Sequence, residues 1–393
     1  MSNVGKLLRY TQMTGFAIFA MMFGAGNIIL PLRLGIEGGA SWSWAIFGFC
    51  LTGVLVPILG LLGIIAFDGD YEKFFNRLGR IPGSILVFIS MIIMGPLVIM
   101  PRIVTLSYEM LRPFMPFFSL FTFSLVFLGL AFAATFRKTT LLNLIGRFIS
   151  PLKVCSLLLI VSLGLWFGMT AMPSMYTPVQ LVLKGITFGY GTFDLISALL
   201  FGAMIITLLR SYAASQKDEM SQKKLLTIAS IGGLGGGALL GLVYVGMCAL
   251  SAYNGHGLGH LNEGQIFSAI SFRALGSWGA ALIGGTIFLA CFATTISLAA
   301  VLGDYTQKVL CRSKISYDWA LIIILLLTGI IAQIGLSGII KFSMPAIEII
   351  YPPFIVLTLC NIAYALWGFK PVKLPVALMA GIMVVVTVAK YLF

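Results

Sequence analysis

The chain of 393 residues is 60% hydrophobic and only 9% charged, which excludes a water-soluble globular domain. Its net charge of +13 comes from 25 Lys and Arg against 12 Asp and Glu. Eighteen of those 25 sort to one side of the spans described next, so the charge reports orientation and excludes nucleic acid as its explanation.

Apolar windows of about twenty residues predict spans at 8–34, 43–66, 83–110, 117–136, 143–169, 189–210, 224–251, 276–303, 318–336, 344–367 and 373–392. The expected class is an all-α polytopic membrane protein with about eleven transmembrane helices. The first span is interrupted at its middle by Phe23-Gly24-Ala25-Gly26-Asn27 and closed by Ile28-Ile29-Leu30-Pro31. Two glycines cost a helix roughly 1 kcal/mol each against alanine, and Asn27 adds an amide at bilayer depth. Broken backbone persists in hydrocarbon only where it lines a cavity or binds something. There it offers a half-helix N-terminus to an anion and bare carbonyls to a cation. Lys6 and Arg9 precede this span, but its length argues against a cleaved signal sequence.

Further along, Gly95-Pro96, Arg102 and Glu109 fall in the third span. The sixth carries Phe201-Gly202-Ala203, which matches Phe23-Gly24-Ala25, after Gly189-Tyr190-Gly191-Thr192-Phe193-Asp194 and Ser197-Ala198. A second broken helix is expected there. Gly232-Gly233 and Gly235-Gly236-Gly237 in the seventh span lack accompanying polar side chains and read as a helix-packing face. The eighth span contains Ala290-Cys291-Phe292-Ala293-Thr294-Thr295-Ile296-Ser297, with three hydroxyls in one turn, and the tenth holds Glu348.

The basic set, which includes Arg77, Arg137, Lys138, Arg147, Lys217 and Lys308, places the N-terminus in the cytoplasm and, after eleven crossings, the C-terminus outside. Arg33, Arg112, Lys184, Arg273, Lys341 and Lys390 lie opposite. The six cysteines show no metal or redox spacing and read as small apolar filler. Loops near 68–82, 170–188 and 252–275 are too short for a separate core, so 1–393 is one transmembrane domain. Its halves, 8–169 and 186–367, have five spans each, and an odd count inverts the second against the first, leaving 373–392 as an additional helix.

Phe23 to Pro31, Gly95-Pro96 with Pro101-Arg102, Ser107-Tyr108-Glu109, Ser150-Pro151-Leu152-Lys153, the Phe201 segment and Tyr351-Pro352-Pro353 together resemble the bacterial branched-chain amino acid:cation symporters of the BrnQ type. The resemblance runs in order from the first to the tenth span. It implies uptake of leucine, isoleucine and valine driven by sodium or protons across the bacterial inner membrane, on a LeuT-like scaffold with broken first and sixth helices. Such proteins usually have a twelfth span. Its absence here falls outside the ten-helix core and bears on oligomer contacts and the position of the C-terminus.

An amino-acid site needs donors for the carboxylate, acceptors for the ammonium and a dry pocket. Gly24, Ala25 and Gly26 can present N–H groups at the start of the outer half-helix, without side-chain bulk at either glycine. Asn27 offers its amide to a cation or caps the broken helix. Ser197, Ala198 and Phe201 would wall the aliphatic side chain, although Phe201 also suits ordinary core. Similarity to LeuT-like proteins assigns Thr294 and Thr295 as hydroxyl ligands of sodium, with Ala293 and main-chain oxygens near Ala20 and Phe23 completing the shell. Each hydroxyl can equally bond the carbonyl one turn back.

Glu109, Asp194 and Glu348 are expected in the outer third, at a depth like that of Arg33 and Arg102. An external gate in which Arg33 or Arg102 pairs with Glu348 or Asp194 is the corresponding expectation. With no carboxylate expected at the core site, sodium is favoured over protons as coupling ion, and no other cofactor is expected. The expected partners are the amino acid and the lipid bilayer. A proton-coupled carrier, or a sodium-coupled carrier of another apolar amino acid, is the main alternative. An ion channel or a membrane-embedded lipid transferase is remote: His256 and His260 fall in an outer loop and no Asp-rich motif is present, so no enzyme is expected.

Overall fold

A computed structural model describes residues 3–136, 150–168, 170–215 and 221–392. Arg137, Lys138, Arg147 and Lys217 of the basic set, and residues 143–149 and 169 of the fifth span, lie outside the described residues. Those described form helices and connecting turns with no strand, and the expected class stands. Among the described residues, six runs are long and apolar enough to cross a bilayer, and four shorter apolar helices accompany them.

The first span is α1 (Asn3–Met22) and α2 (Ala25–Gly38), separated at Phe23-Gly24. Gly24 is extended (φ −102°, ψ −163°), and its N–H donates 3.0 Å to the Asn27 side-chain oxygen, half of a capping box. The second span is α3 (Trp42–Cys50) and α4 (Val56–Ala66), joined by a π turn. A short α5 (Tyr71–Asn76) follows. In the third, α6 (Arg80–Ile92) is kinked from α7 (Ile99–Leu111) at Gly95-Pro96, where Gly95 leaves helical geometry. Proline cannot continue the hydrogen-bond ladder, so the helix restarts and Arg102 falls in the first turn of α7.

After α8 (Leu120–Phe136) and α9 (Ser150–Trp166), the sixth span is α10 (Pro178–Tyr190) and α11 (Asp194–Ser215). It is broken, but at Gly191-Thr192-Phe193 and not at Phe201-Gly202-Ala203, which is continuous helix. Gly202 serves contact instead, since a Cβ there would run into Ile64 of α4. Phe193, buried, adopts φ 62°, a conformation costing a non-glycine residue on the order of 1–3 kcal/mol. The expected boundary of 189 was late because the polar start of α10 read as loop.

Then come α12 (Gln222–Asn254), α13 (Glu263–Tyr305), α14 (Tyr317–Ala332), α15 (Leu336–Trp367) and α16 (Lys373–Leu392). Gly276 (φ 67°) breaks α13, so the stretch before it is a helix within the expected loop 252–275, and the eighth span proper follows it. The glycine face of α12 packs on α1: a Cβ on Gly236 would lie 2.6 Å from the Gly15 carbonyl, and one on Gly232 2.7 Å from Thr14 Cβ. Each half thus opens with an interrupted helix, and the interruptions meet in the interior.

Candidate functional site

Asn27, in the first turn of α2, joins the two breaks. Its nitrogen donates to both carboxylate oxygens of Asp194, 2.8 Å each, and to the Tyr244 hydroxyl. Tyr244, from α12, donates to Asp194 Oδ2 at 2.5 Å, and its ring meets Phe49 edge-on and stacks with Phe23. Thr192 holds the sixth-span break by donating to the Gly189 carbonyl and accepting from the Asp194 N–H. Tyr351, of the Tyr-Pro-Pro motif on α15, accepts from the Leu195 N–H and donates to the Thr52 carbonyl, fixing the start of α11 against the second span. Asp194, Tyr244 and Tyr351 are all fully buried.

Asp194 was expected in the outer third. The structure instead sets it at the centre, because α10 supplies the outer half of the sixth span and moves the middle of that span to residues 191–194. A carboxylate therefore does stand at the core, and the argument for sodium from its absence falls.

Arg102 is 1% exposed and its Nη1 donates 2.8 Å to the Gly191 carbonyl, at the C-terminal end of α10 where the helix dipole favours a cation. Its Nε and Nη2 have no hydrogen-bond partner among the described residues. A buried, incompletely paired charge costs several kcal/mol, so this arrangement demands a reason. No ion pair joins Arg102 to Asp194, whose carboxylate is taken by Asn27 and Tyr244. Arg33 does not meet Glu348 or Asp194 either. It donates to Glu37 at 3.3 Å and to the Gly259 carbonyl at 2.8 Å, while Glu37 also pairs with Lys184 of α10 at 2.6 Å. Glu348 is half-buried on α15.

A small closed cavity, about 10 Å³ or room for about one water, lies between the breaks. Gly24, Gly26, Asn27, Ser197, Phe201 and Thr294 of the expected site line it, with Met21, Met22, Met94, Ile99, Thr192 and Leu298. Ala198 faces away toward Gly60 of α4. Ala20, Phe23, Ala293 and Thr295 are buried but not on this wall. Thr294, Thr295 and Ser297 each donate to the carbonyl one turn back, at 3.0–3.1 Å, which leaves their lone pairs as acceptors.

One turn further along α11 and α13, a vestibule of about 590 Å³ opens on the side of the N-terminus, with Leu200, Met204, Ser297 and Ala300 toward its depth and Asp68, Asp70 and Asp304 among its lining. On the opposite side, Glu109 of α7 accepts from Asn262 at 3.1 Å and from Gln265 at 3.4 Å, tying the start of α13 over the bundle.

Sequence reasoning missed Tyr244, Thr192 and the methionines. A tyrosine just past a run of glycines in the middle of an apolar helix is the signal that was available, because a buried phenol needs a hydrogen-bond partner.

Comparisons with known proteins bear on the family and the fold. The family described as branched-chain amino acid transport protein matches residues 8–392. The branched-chain amino acid permease BraB of Bacillus subtilis (strain 168) is 34% identical over 360 residues, 88% of this chain and 78% of that protein. The branched-chain amino acid transport system 3 carrier protein of Pseudomonas aeruginosa is 32% identical, over 90% of this chain and 80% of its own length. Among solved structures, Mhp1, a nucleobase-cation-symport-1 family transporter in a closed conformation, superposes with TM-score 0.62 at 14% identity, covering 91% of this chain and 78% of that one. MhsT in complex with L-phenylalanine does so with TM-score 0.56 at 17% identity, covering 96% and 97%.

Proposed function

The chain belongs to the branched-chain amino acid transport protein family, and from that premise we propose that it imports leucine, isoleucine or valine by symport with a cation. One observation carries the reading: two interrupted helices meet around a cavity whose lining combines Gly24, Gly26 and Asn27 with Met94, Ile99, Phe201 and Leu298. The first set suits an amino-acid head group at the positive end of α2, the second an aliphatic side chain. The cavity widens when α2 and α10 move, admits the amino acid, and closes again as the vestibule opens toward the N-terminal side. With that side cytoplasmic, as the Lys and Arg distribution supports, the vestibule is the inward path across the bacterial inner membrane.

In our reading sodium sits beside the cavity, on main-chain oxygens near Ala20 and Phe23, the Ala293 carbonyl and the hydroxyls of Thr294 and Thr295. It steadies the broken first helix against α13, which raises affinity for the amino acid, and by linkage the amino acid raises affinity for sodium equally. Asp194 supports a second reading, proton coupling, since it is a carboxylate bridging both breaks. Radiolabelled leucine uptake into proteoliposomes under a sodium gradient, and separately under a pH gradient, distinguishes these readings. Sodium-driven accumulation is expected. Uptake that ignores sodium and follows pH moves the coupling to Asp194, and no saturable uptake of any branched-chain amino acid overturns the proposal.

A further inference from the structure

The Arg102 guanidinium is fully buried, and the two nitrogens without a partner, Nε and Nη2, form one edge of its fork. That edge is the one that receives a carboxylate side-on through two parallel hydrogen bonds. Nη2 lies against Gly26: a Cβ there would come within 2.7 Å of it, and within 3.3 Å of the Gly191 carbonyl. Gly26 is in the first turn of the fourteen-residue α2, whose N–H groups have no acceptor within their own helix and carry the positive end of its dipole.

Two positive centres, a guanidinium edge and a helix N-terminus, thus converge on one spot. Asp194 and Glu263 offset this charge only through space, and neither makes an ion pair with the guanidinium. Asp194 is committed to Asn27 and Tyr244, and no ion pair joins it to Arg102. The third face belongs to Gly191, whose carbonyl takes Nη1 and so orients the fork.

We propose that Arg102 receives the α-carboxylate of the transported amino acid through Nε and Nη2, jointly with the N–H groups at the start of α2. This rests on the amino-acid transport reading above and deepens it. The selective element for a free carboxylate is then a side chain of the third span, not main chain alone. The kink at Gly95-Pro96 that restarts α7 at Ile99 is what brings Arg102 to the junction of the two breaks. In the present closed cavity the guanidinium stands behind Gly26. Widening of the cavity uncovers its free edge, so the carboxylate is held only when the first and sixth breaks separate.

The test compares binding of leucine, leucinamide and 4-methylpentanoate to the purified full chain in detergent, in the wild type and in Arg102→Gln and Arg102→Lys, each first checked for an intact thermal transition. The wild type is expected to bind leucine at least about 100-fold more tightly than leucinamide. Arg102→Gln is expected to reduce that ratio to within a few-fold of unity while leaving leucinamide binding nearly unchanged, and Arg102→Lys to restore part of it. An Arg102→Gln protein that keeps the wild-type ratio overturns the proposal, as does one that loses both ligands equally. If the variants do not fold, the wild type decides: leucinamide equal to leucine overturns the proposal, and so does phenylglyoxal labelling of Arg102 that leucine does not alter, whereas protection of Arg102 by leucine and 4-methylpentanoate but not by leucinamide upholds it. A wild type that binds leucine but shows no carboxylate preference leaves the transport reading standing, whereas one that binds no branched-chain amino acid sinks both.

Discussion

Asn27 commits both ends of its amide inside the protein, the oxygen to Gly24 and the nitrogen to Asp194 and Tyr244. It is therefore a clasp between the two breaks as well as a wall of the cavity. Removing one partner of a buried hydrogen bond leaves the other unsatisfied, at about 1–3 kcal/mol. Tyr244→Phe, which deletes the donor to Asp194 and keeps the ring against Phe49, is expected to lower the thermal midpoint of the purified protein and slow leucine uptake. An unchanged midpoint would remove the clasp from the account. Gly26 is constrained more sharply, since even a methyl group meets Arg102. Gly26→Ala should cut leucine uptake at least tenfold, and Gly26→Leu abolish it, with normal amounts of either variant in the membrane. Normal transport by both would dissociate this backbone from the substrate. Asp194→Asn separates the coupling readings: under the sodium reading the response to a pH gradient is the same as in wild type, under the proton reading it disappears.

Helix starts were written into the sequence more plainly than its hydropathy suggested. Thr177-Pro178-Val179-Gln180 forms a capping box at α10, with proline at its first position, and Asn262-Glu263-Gly264-Gln265 does the same at α13. Both fell in segments expected to be loops, because a polar cap and the charged outer end of a helix depress the average of a twenty-residue window. Lys184 illustrates the point: it reads as loop, yet it pairs with Glu37 across to α2 and lies 3.7 Å over the Tyr176 ring. The glycines of α12, in contrast, were legible as packing. A Cβ on Gly236 would meet the Gly15 carbonyl at 2.6 Å, whereas one on Gly235 would meet nothing within 4 Å. Gly236→Leu should destabilise the protein by about 1–3 kcal/mol through overpacking, and Gly235→Leu should be tolerated. Melting curves of the two variants check this, and equal midpoints would contradict it. Arg77 makes a comparable tie at the far end, stacking on Tyr364 at 4.0 Å and donating to Asn361, to the Cys360 carbonyl within α15 and to the Phe369 and Lys370 carbonyls just beyond it.

The whole molecule is asymmetric about its closed cavity. A vestibule of about 590 Å³ reaches in from the N-terminal side, while on the other side Arg33 holds Gly259 and Glu109 holds Asn262 and Gln265. On the proposed transport reading this asymmetry reverses, with α2 and α10 leaving the start of α13 as the vestibule fills. Ala300, on the vestibule wall, is a reporter of that exchange. In a background with Cys311 replaced by serine, Ala300→Cys should react with a membrane-impermeant thiol reagent from the N-terminal side, and sodium with leucine should slow the reaction. Labelling that is indifferent to substrate would argue against alternation at this site.

Much of this architecture was readable before any coordinates. Hydrophobic length dictates spans, glycines beside an amide dictate a break in a helix that lipid would otherwise keep whole, and an odd number of crossings inverts the second half. Those are local costs, and each is carried by a few neighbouring residues. Which side chains meet at the breaks was settled only by the fold. Asp194, Tyr244 and Asn27 are 50 to 217 positions apart, and their hydrogen bonds exist because inverted halves bring the middles of the first and sixth spans together. A charge reads in sequence as something bound for water; packing alone decided that Arg102 would be sealed against Gly26 with one edge of its guanidinium unpaired.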